Sequence, residues 1–312
     1  MGTSGFAGAL GTWSFDGNGD TSFATTSGLR VVSGGWVVQG AIPAAAETCM
    51  AARTDTPTQT VYLPNITRTL GGPTGFQTPF IVQNTGSTST SLEISFYRFS
   101  DGTCVVRRTV SSLAPGTSFA DVPNNDSDLP NDAQFSVVVK SFGSSVVSVV
   151  NEHAGVADRA EALSYVGVSA GATSVFLPNI VRHFFGFHTP FIIQNLGTAT
   201  TTATATFKPF SGGASTTLTR TIAPGQSQFI EPNIEASLAD GQYAVTVTAP
   251  QPVAVVVNTH NDDPSVAKPV AYSTNGIASG AAAVYGPYAA KNANDLGFTG
   301  TMTTIVVQNV GN

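Results

Sequence analysis

Asp16, Asn18 and Asp20, separated by Gly17 and Gly19, are the residues whose types and spacing best suit an ion. Oxygen ligands at alternating positions around glycine turns are how calcium loops are built. A complete EF-hand loop would carry glutamate at its twelfth position, where Ser27 stands. Two readings follow: a small calcium turn, or a plain Asp/Gly turn without an ion.

The four histidines are His153, His183, His188 and His260. His153 and His260 each close a similar apolar run, VVNEH and VVNTH, so they are expected to serve a strand end or loop of a repeating unit. His183 and His188 share one loop, but a zinc site from these two lacks a third ligand. There is no G-x-S-x-G, no H-E-x-x-H and no phosphate loop. Glu152, Asp158, Asp262 and Asp263 read as solvated turn residues. Paired carboxylates for glycoside cleavage need only spatial proximity, but the repeats described below take up most of the chain. The expectation is a protein that is not an enzyme and holds no cofactor, calcium apart.

Phe184 and Phe185, in the loop His183 to Phe187, stand where the other copy of the repeat has no aromatic pair. They could form a sugar-stacking platform or a subunit contact, or pack against the neighbouring domain. Cys49 and Cys104 allow one intrachain pairing; the alternative is two buried thiols acting as small apolar side chains. Asn65-Ile66-Thr67 and Asn125-Asp126-Ser127 fit the N-glycosylation acceptor pattern.

Bulk composition narrows the class. The 312 residues include 13 Lys and Arg against 19 Asp and Glu, a formal net charge of -6. Nucleic acid is not an expected partner, because phosphate binding needs clustered basic residues. Arg107-Arg108 is the nearest thing to a cluster, and an exposed strand explains it. There is no apolar run of about 20 residues for a membrane span, and no secretory leader is visible at the start. Low charge with many Val, Thr and Ser suits strands with short polar turns.

The elements that must position these residues emerge when the chain is aligned with itself. VYLPNITR at 61–68 returns as VFLPNIVR at 175–182, and GFQTPFIVQN at 75–84 as GFHTPFIIQN at 186–195. AQFSVVV at 133–139 is answered by GQYAVTV at 241–247, and VVSVVNEH at 146–153 by VAVVVNTH at 253–260. A third copy opens near Ala281 with VYGP and reaches TIVVQNVG at 304–311. The front, GLRVVSGGWVVQ at 28–39, reads as the closing part of a unit. Each unit alternates apolar and polar residues with the period of a strand, and its runs are bounded by Asn-Thr-Gly, Asp-Gly and Ala-Pro-Gly.

The LPNI…GF-x-TPFIVQN…APG…VVN pattern resembles the tandem Ig-like or fibronectin-III-like repeats of bacterial secreted and cell-surface proteins. The expected fold is all-β: tandem Ig-like β-sandwich repeats, two full copies with partial copies at both ends. The expected domains are 1–54 (a partial unit of closing strands), 55–168, 169–278 and 279–312 (a partial third repeat of opening strands). The resemblance implies an extracellular or cell-surface structural role without catalytic residues. The expected function is that of a subunit of a fibre, filament or layer, whose partners are copies of itself. Strand complementation through Thr304, Ile305, Val306 and Val307 would link the copies. The alternative is an adhesin or carbohydrate-binding stalk that contacts surface glycans.

Overall fold

The computed structural model describes residues 6–8, 11–13, 26–32, 35–42, 49–72, 75–156, 159–261, 270–295 and 298–311, the first four stretches by backbone alone. The chain falls into two compact units, Met1–Thr48 and Cys49–Asn312. The smaller unit holds two antiparallel hairpins. In one, β1 (Phe6–Gly8) pairs with β2 (Gly11–Trp13); in the other, β3 (Thr26–Val32) pairs with β4 (Gly35–Ile42). The two apolar runs of GLRVVSGGWVVQ supply the second hairpin. Asp16, Asn18 and Asp20 lie outside the described residues.

The described residues of the larger unit form β-strands and their connections, with two single-turn 3-10 segments. Its first repeat carries β5 (Gln59–Arg68), β6 (Phe76–Gln77), β7 (Phe80–Asn84), β8 (Thr90–Arg98), β9 (Cys104–Leu113), β10 (Ser118–Asp121), β11 (Ala133–Phe142), β12 (Val146–Val156) and β13 (Arg159–Val166). These form two antiparallel sheets, in the orders β5-β11-β8-β9 and β10-β7-β12-β13. Alternation decides which side chains meet between them. Leu63, Ile94, Phe96, Phe135 and Val137 of one sheet share a core with Phe80, Val82, Val146 and Val150 of the other. Two sheets closing on one apolar layer make a sandwich.

The second repeat repeats the plan. It holds β14 (Ala172–Arg182), β15 (Phe187–His188), β16 (Phe191–Asn195), β17 (Thr201–Pro209), β18 (Thr216–Ile222), β19 (Ser227–Ile230), β20 (Gly241–Asn261) and β21 (Ala271–Asn275). β20 runs for 21 residues and serves both layers. Its first part pairs with β14 and β17, and its second with β15, β16 and β21. It thus occupies the places of both β11 and β12. Phe191, Ile193, Val255 and Val257 meet Leu177, Phe207, Val245 and Val247 in the second core.

The two repeats lie against each other along a hydrogen-bonded seam. Ser136 donates to the Gly225 carbonyl at 2.7 Å, Gln226 to the Phe99 carbonyl at 2.6 Å, and Asn275 to the Val166 carbonyl at 2.8 Å. Val256 of the second repeat joins the core of the first.

The third copy differs from expectation. Its described residues contribute one short hairpin, β22 (Ala293–Asp295) with β23 (Phe298–Thr301). Neither Val284–Pro287 nor Thr304–Val307 forms a strand, and Ile305 and Val307 are exposed. A strand exists only where a ladder satisfies its backbone. The equivalent segments β7 and β16 each pair with two strands, β10 and β12 or β19 and β20. Thr304, Ile305, Val306 and Val307 have no such pairing among the described residues. No helix of the described residues is long and apolar enough to cross a membrane.

Candidate functional site at the seam

The inward side chains of β12 follow the strand period: Val146, Ser148, Val150 and then Glu152 are buried, while Val147, Asn151 and His153 face outward. Glu152 is therefore carried inside by its register, where a solvated turn was expected. Two side-chain amides meet its Oε2. Asn65 of β5 donates at 3.0 Å, and Asn258 of β20, in the other repeat, also donates at 3.0 Å. Both amides are held in that orientation. Gln134 donates to Asn65 Oδ1 at 2.8 Å, and Ser273 donates to Asn258 Oδ1 at 2.7 Å.

Burial pushes the Glu152 carboxyl up to about 7, and the neighbouring Glu161 adds to the rise. His260 and the two amide donors oppose it. Tyr165 stands beside this group. Its hydroxyl donates to the Asn65 carbonyl at 2.6 Å and accepts from the Asn65 N–H at 3.0 Å, and burial raises it well above its ordinary range.

Next to Glu152 two imidazoles are each engaged by a carboxylate. His260 Nδ1 lies 2.8 Å from Glu161 Oε2, across the seam. His188 Nδ1 lies 3.2 Å from Glu231 Oε2. Glu231 also caps a 3-10 turn, accepting from the Asn233 N–H at 2.9 Å. His188 and His260 are directly opposite in the pairing of β15 with β20, which brings their rings to 5.2 Å. Phe76 meets His260 edge-on at 5.8 Å. His260 thus reaches the first repeat, whereas His153 at the matching place is exposed; the expectation of one shared local role is corrected.

These groups surround a cavity of about 550 Å³. Its walls include Phe76, Ile192 and Phe229, and its titratable lining among the described residues is Glu152, Glu161 and Glu231 with the two histidines, without Lys or Arg. No group of three or more metal-capable side chains converges among the described residues. His183 and His188 diverge, His183 turning to Asp240 at 3.0 Å.

The aromatic loop is a separate feature. Phe184 and Phe187 exchange backbone hydrogen bonds at 3.2 and 3.0 Å, leaving Phe185 and Gly186 as a two-residue hairpin turn. Both have positive φ, 51° and 77°, the type I′ geometry. Phe185 is 81% exposed and touches the Phe184 ring edge-on at 4.7 Å. Packing of Phe185 against a neighbouring domain is not what the structure shows.

The remaining candidates are placed as follows. Cys49 and Cys104 are joined by a disulfide, with Cα atoms 5.5 Å apart. The bond ties the segment before β5 onto the sheet of β8 and β9. Arg53 in that segment donates its N–H to Glu93 at 2.7 Å and stacks over Phe142. Arg107 and Arg108 are half-buried: Arg107 bonds Ser95 and Arg108 pairs with Asp121 and Asp126. Asn65 is buried at the seam, so it is no glycan acceptor in the folded chain; Asn125 is exposed.

No family model matches the chain, and no curated protein matches it. Among solved structures, Thermotoga maritima 1070 is similar at 17% identity and TM-score 0.30, over 37% of this chain and 97% of that one. A Bacteroides uniformis beta-glucuronidase is similar at 12% identity and TM-score 0.16, over 70% of this chain and 26% of that one. A glycosyl hydrolase family 2 member from Bacteroides cellulosilyticus DSM 14838 follows at 8% identity and TM-score 0.16, over 69% and 28%. The chain spans about a quarter of the length of these two hydrolases. All three TM-scores are too low for a role to be carried over.

Proposed function

We propose that the chain is a non-enzymatic structural protein of the cell surface or extracellular space. In this reading residues 55–168 and 169–278 are tandem Ig-like repeats that act as a stiff segment of a fibre, filament or layer, together with copies of the same chain. One observation carries it: the carboxylate of Glu152 is shared between Asn65 and Asn258, so the two repeats close around one buried polar group. Only residues 167–171 connect β13 to β14, and Val168 is itself bridged to Tyr62. Repeats joined by a flexible linker would move independently; a short connection and a bonded seam favour a body that transmits force without bending.

Immunogold labelling of intact producing cells tests the reading. Gold on the surface or on extracellular filaments is expected. Labelling that needs permeabilised cells contradicts it.

The exposed Phe185 favours an adhesive reading as the second choice. A bulky residue held at positive φ is uncommon, and such positions cluster at functional sites. A surface glycan stacked on the Phe184–Phe185 edge is the corresponding ligand, and glycan-array binding lost on Phe185→Asn is its test.

A further inference from the structure

The cavity at the seam has a charge balance that a structural role does not require. Glu161 and Glu231 are each engaged by an imidazole, whereas the described hydrogen-bond donors to Glu152 are neutral amides. A buried carboxylate is costly unless a cation or a proton compensates it. Among the described residues the cavity supplies no Lys or Arg for this purpose. Its volume of about 550 Å³ lies in the range of small-ligand clefts. Two of its walls are the rings of Phe76 and Phe229, surfaces that attract both alkyl groups and cations. The copies also differ here. Glu152, His188 and Glu231 stand where the other copy has Thr259, Gln77 and Val122, so the repeat unit itself does not demand these side chains.

We propose that this cavity binds a small organic ammonium ion, with the charged nitrogen at Glu152 and the apolar body against Phe76 and Phe229. The arrangement disfavours anions, since three carboxylates line the site. A neutral ligand of the same shape would leave Glu152 uncompensated.

Protonation of Glu152 competes with the ligand, because the carboxyl is held near 7. The groups that face it are Glu161 and Tyr165 from β13, His260 from β20, His188 from β15, and Glu231 before the 3-10 turn. Affinity should therefore rise with pH.

Isothermal titration of the full chain tests the proposal, with cadaverine as a primary ammonium, choline as a quaternary one, and the neutral carbon isostere of choline, dimethylbutanol. At pH 8 at least one ammonium should bind ten or more times tighter than the isostere, and about tenfold tighter than the same ammonium at pH 6. Cadaverine alone would assign a primary amine, choline alone a quaternary one. Glu152→Gln, with its fold checked by circular dichroism, should lose the ammonium preference; the pH comparison on the unaltered chain needs no variant. Equal binding of the isostere, no ammonium binding at millimolar concentration, or unchanged binding by E152Q overturns the proposal.

Discussion

Glu152, on β12 of the first repeat, accepts a hydrogen bond at 3.0 Å from the side chain of Asn258, on β20 of the second. This bond joins β12 to the second part of β20, its counterpart in the other sequence repeat, and it sits at the centre of a buried polar network. Satisfied networks of this kind stiffen a structure, and partly satisfied ones weaken it.

The raised carboxyl of Glu152 sets a pH dependence of stability. In the unfolded chain the group ionises near its ordinary 4.5, and in the folded chain near 7. Between these values the folded state holds the proton more tightly, so its contribution is complete below the lower value and is lost as pH rises through about 7. The span corresponds to about 3 kcal/mol at most. Melting temperatures measured from pH 4.5 to 8 should fall in this window for the unaltered protein. The slope should flatten for Glu152→Gln; an unchanged slope in that variant assigns the effect elsewhere.

Asn258→Ala should destabilise by about 1–3 kcal/mol, because a buried acceptor loses a donor. In a double-mutant cycle with Glu152→Gln, urea denaturation should show the two sites to be coupled by more than about 0.5 kcal/mol. Additive effects would mean that the contact carries no energy of its own.

The disulfide should stabilise by about 2–4 kcal/mol, since it closes a loop of 55 residues between Cys49 and Cys104. Replacing both cysteines by serine, and measuring the urea midpoint, checks this. The variant should also free the segment of Arg53, raising hydrogen exchange at residues 50–58 before that of the core strands.

Phe185→Asn should raise stability by about 1 kcal/mol. It places Asn-Gly in a type I′ turn, the pair such turns favour, and removes a bulky residue from positive φ. Differential scanning calorimetry reads the change. Gly186→Ala should have the opposite sign, because Gly186 has φ 77°.

Much of the β architecture was legible in the sequence. The alternation in LEISFY puts Leu92, Ile94 and Phe96 into the core, and the duplicated APG marks the same turn twice, at 114–116 and 223–225. Along VVSVVNE both phases carry two valines and a polar residue, so no alternation assigns Glu152 a side, and the usual preference of glutamate for solvent points the wrong way. The partners of Glu152 were not legible. Asn65, Asn258 and Glu152 are brought together only by the lateral packing of the two repeats, which no local pattern encodes. The equivalence of His153 and His260 misled for the same reason: the local sequences are similar, but only His260 faces the other repeat. Thr304–Val307 shows the converse, a strand-like sequence without a ladder partner among the described residues.

The central claim, that the two repeats form one stiff body, is tested most directly by a spin-label distance between them. Thr109 and Thr219 are exposed on β9 and β18, one in each repeat, and can be labelled through introduced cysteines while the native disulfide stays intact. A single narrow distance distribution, which broadens when Asn258→Ala is added, is the predicted result. A broad distribution in the otherwise unaltered protein would contradict it.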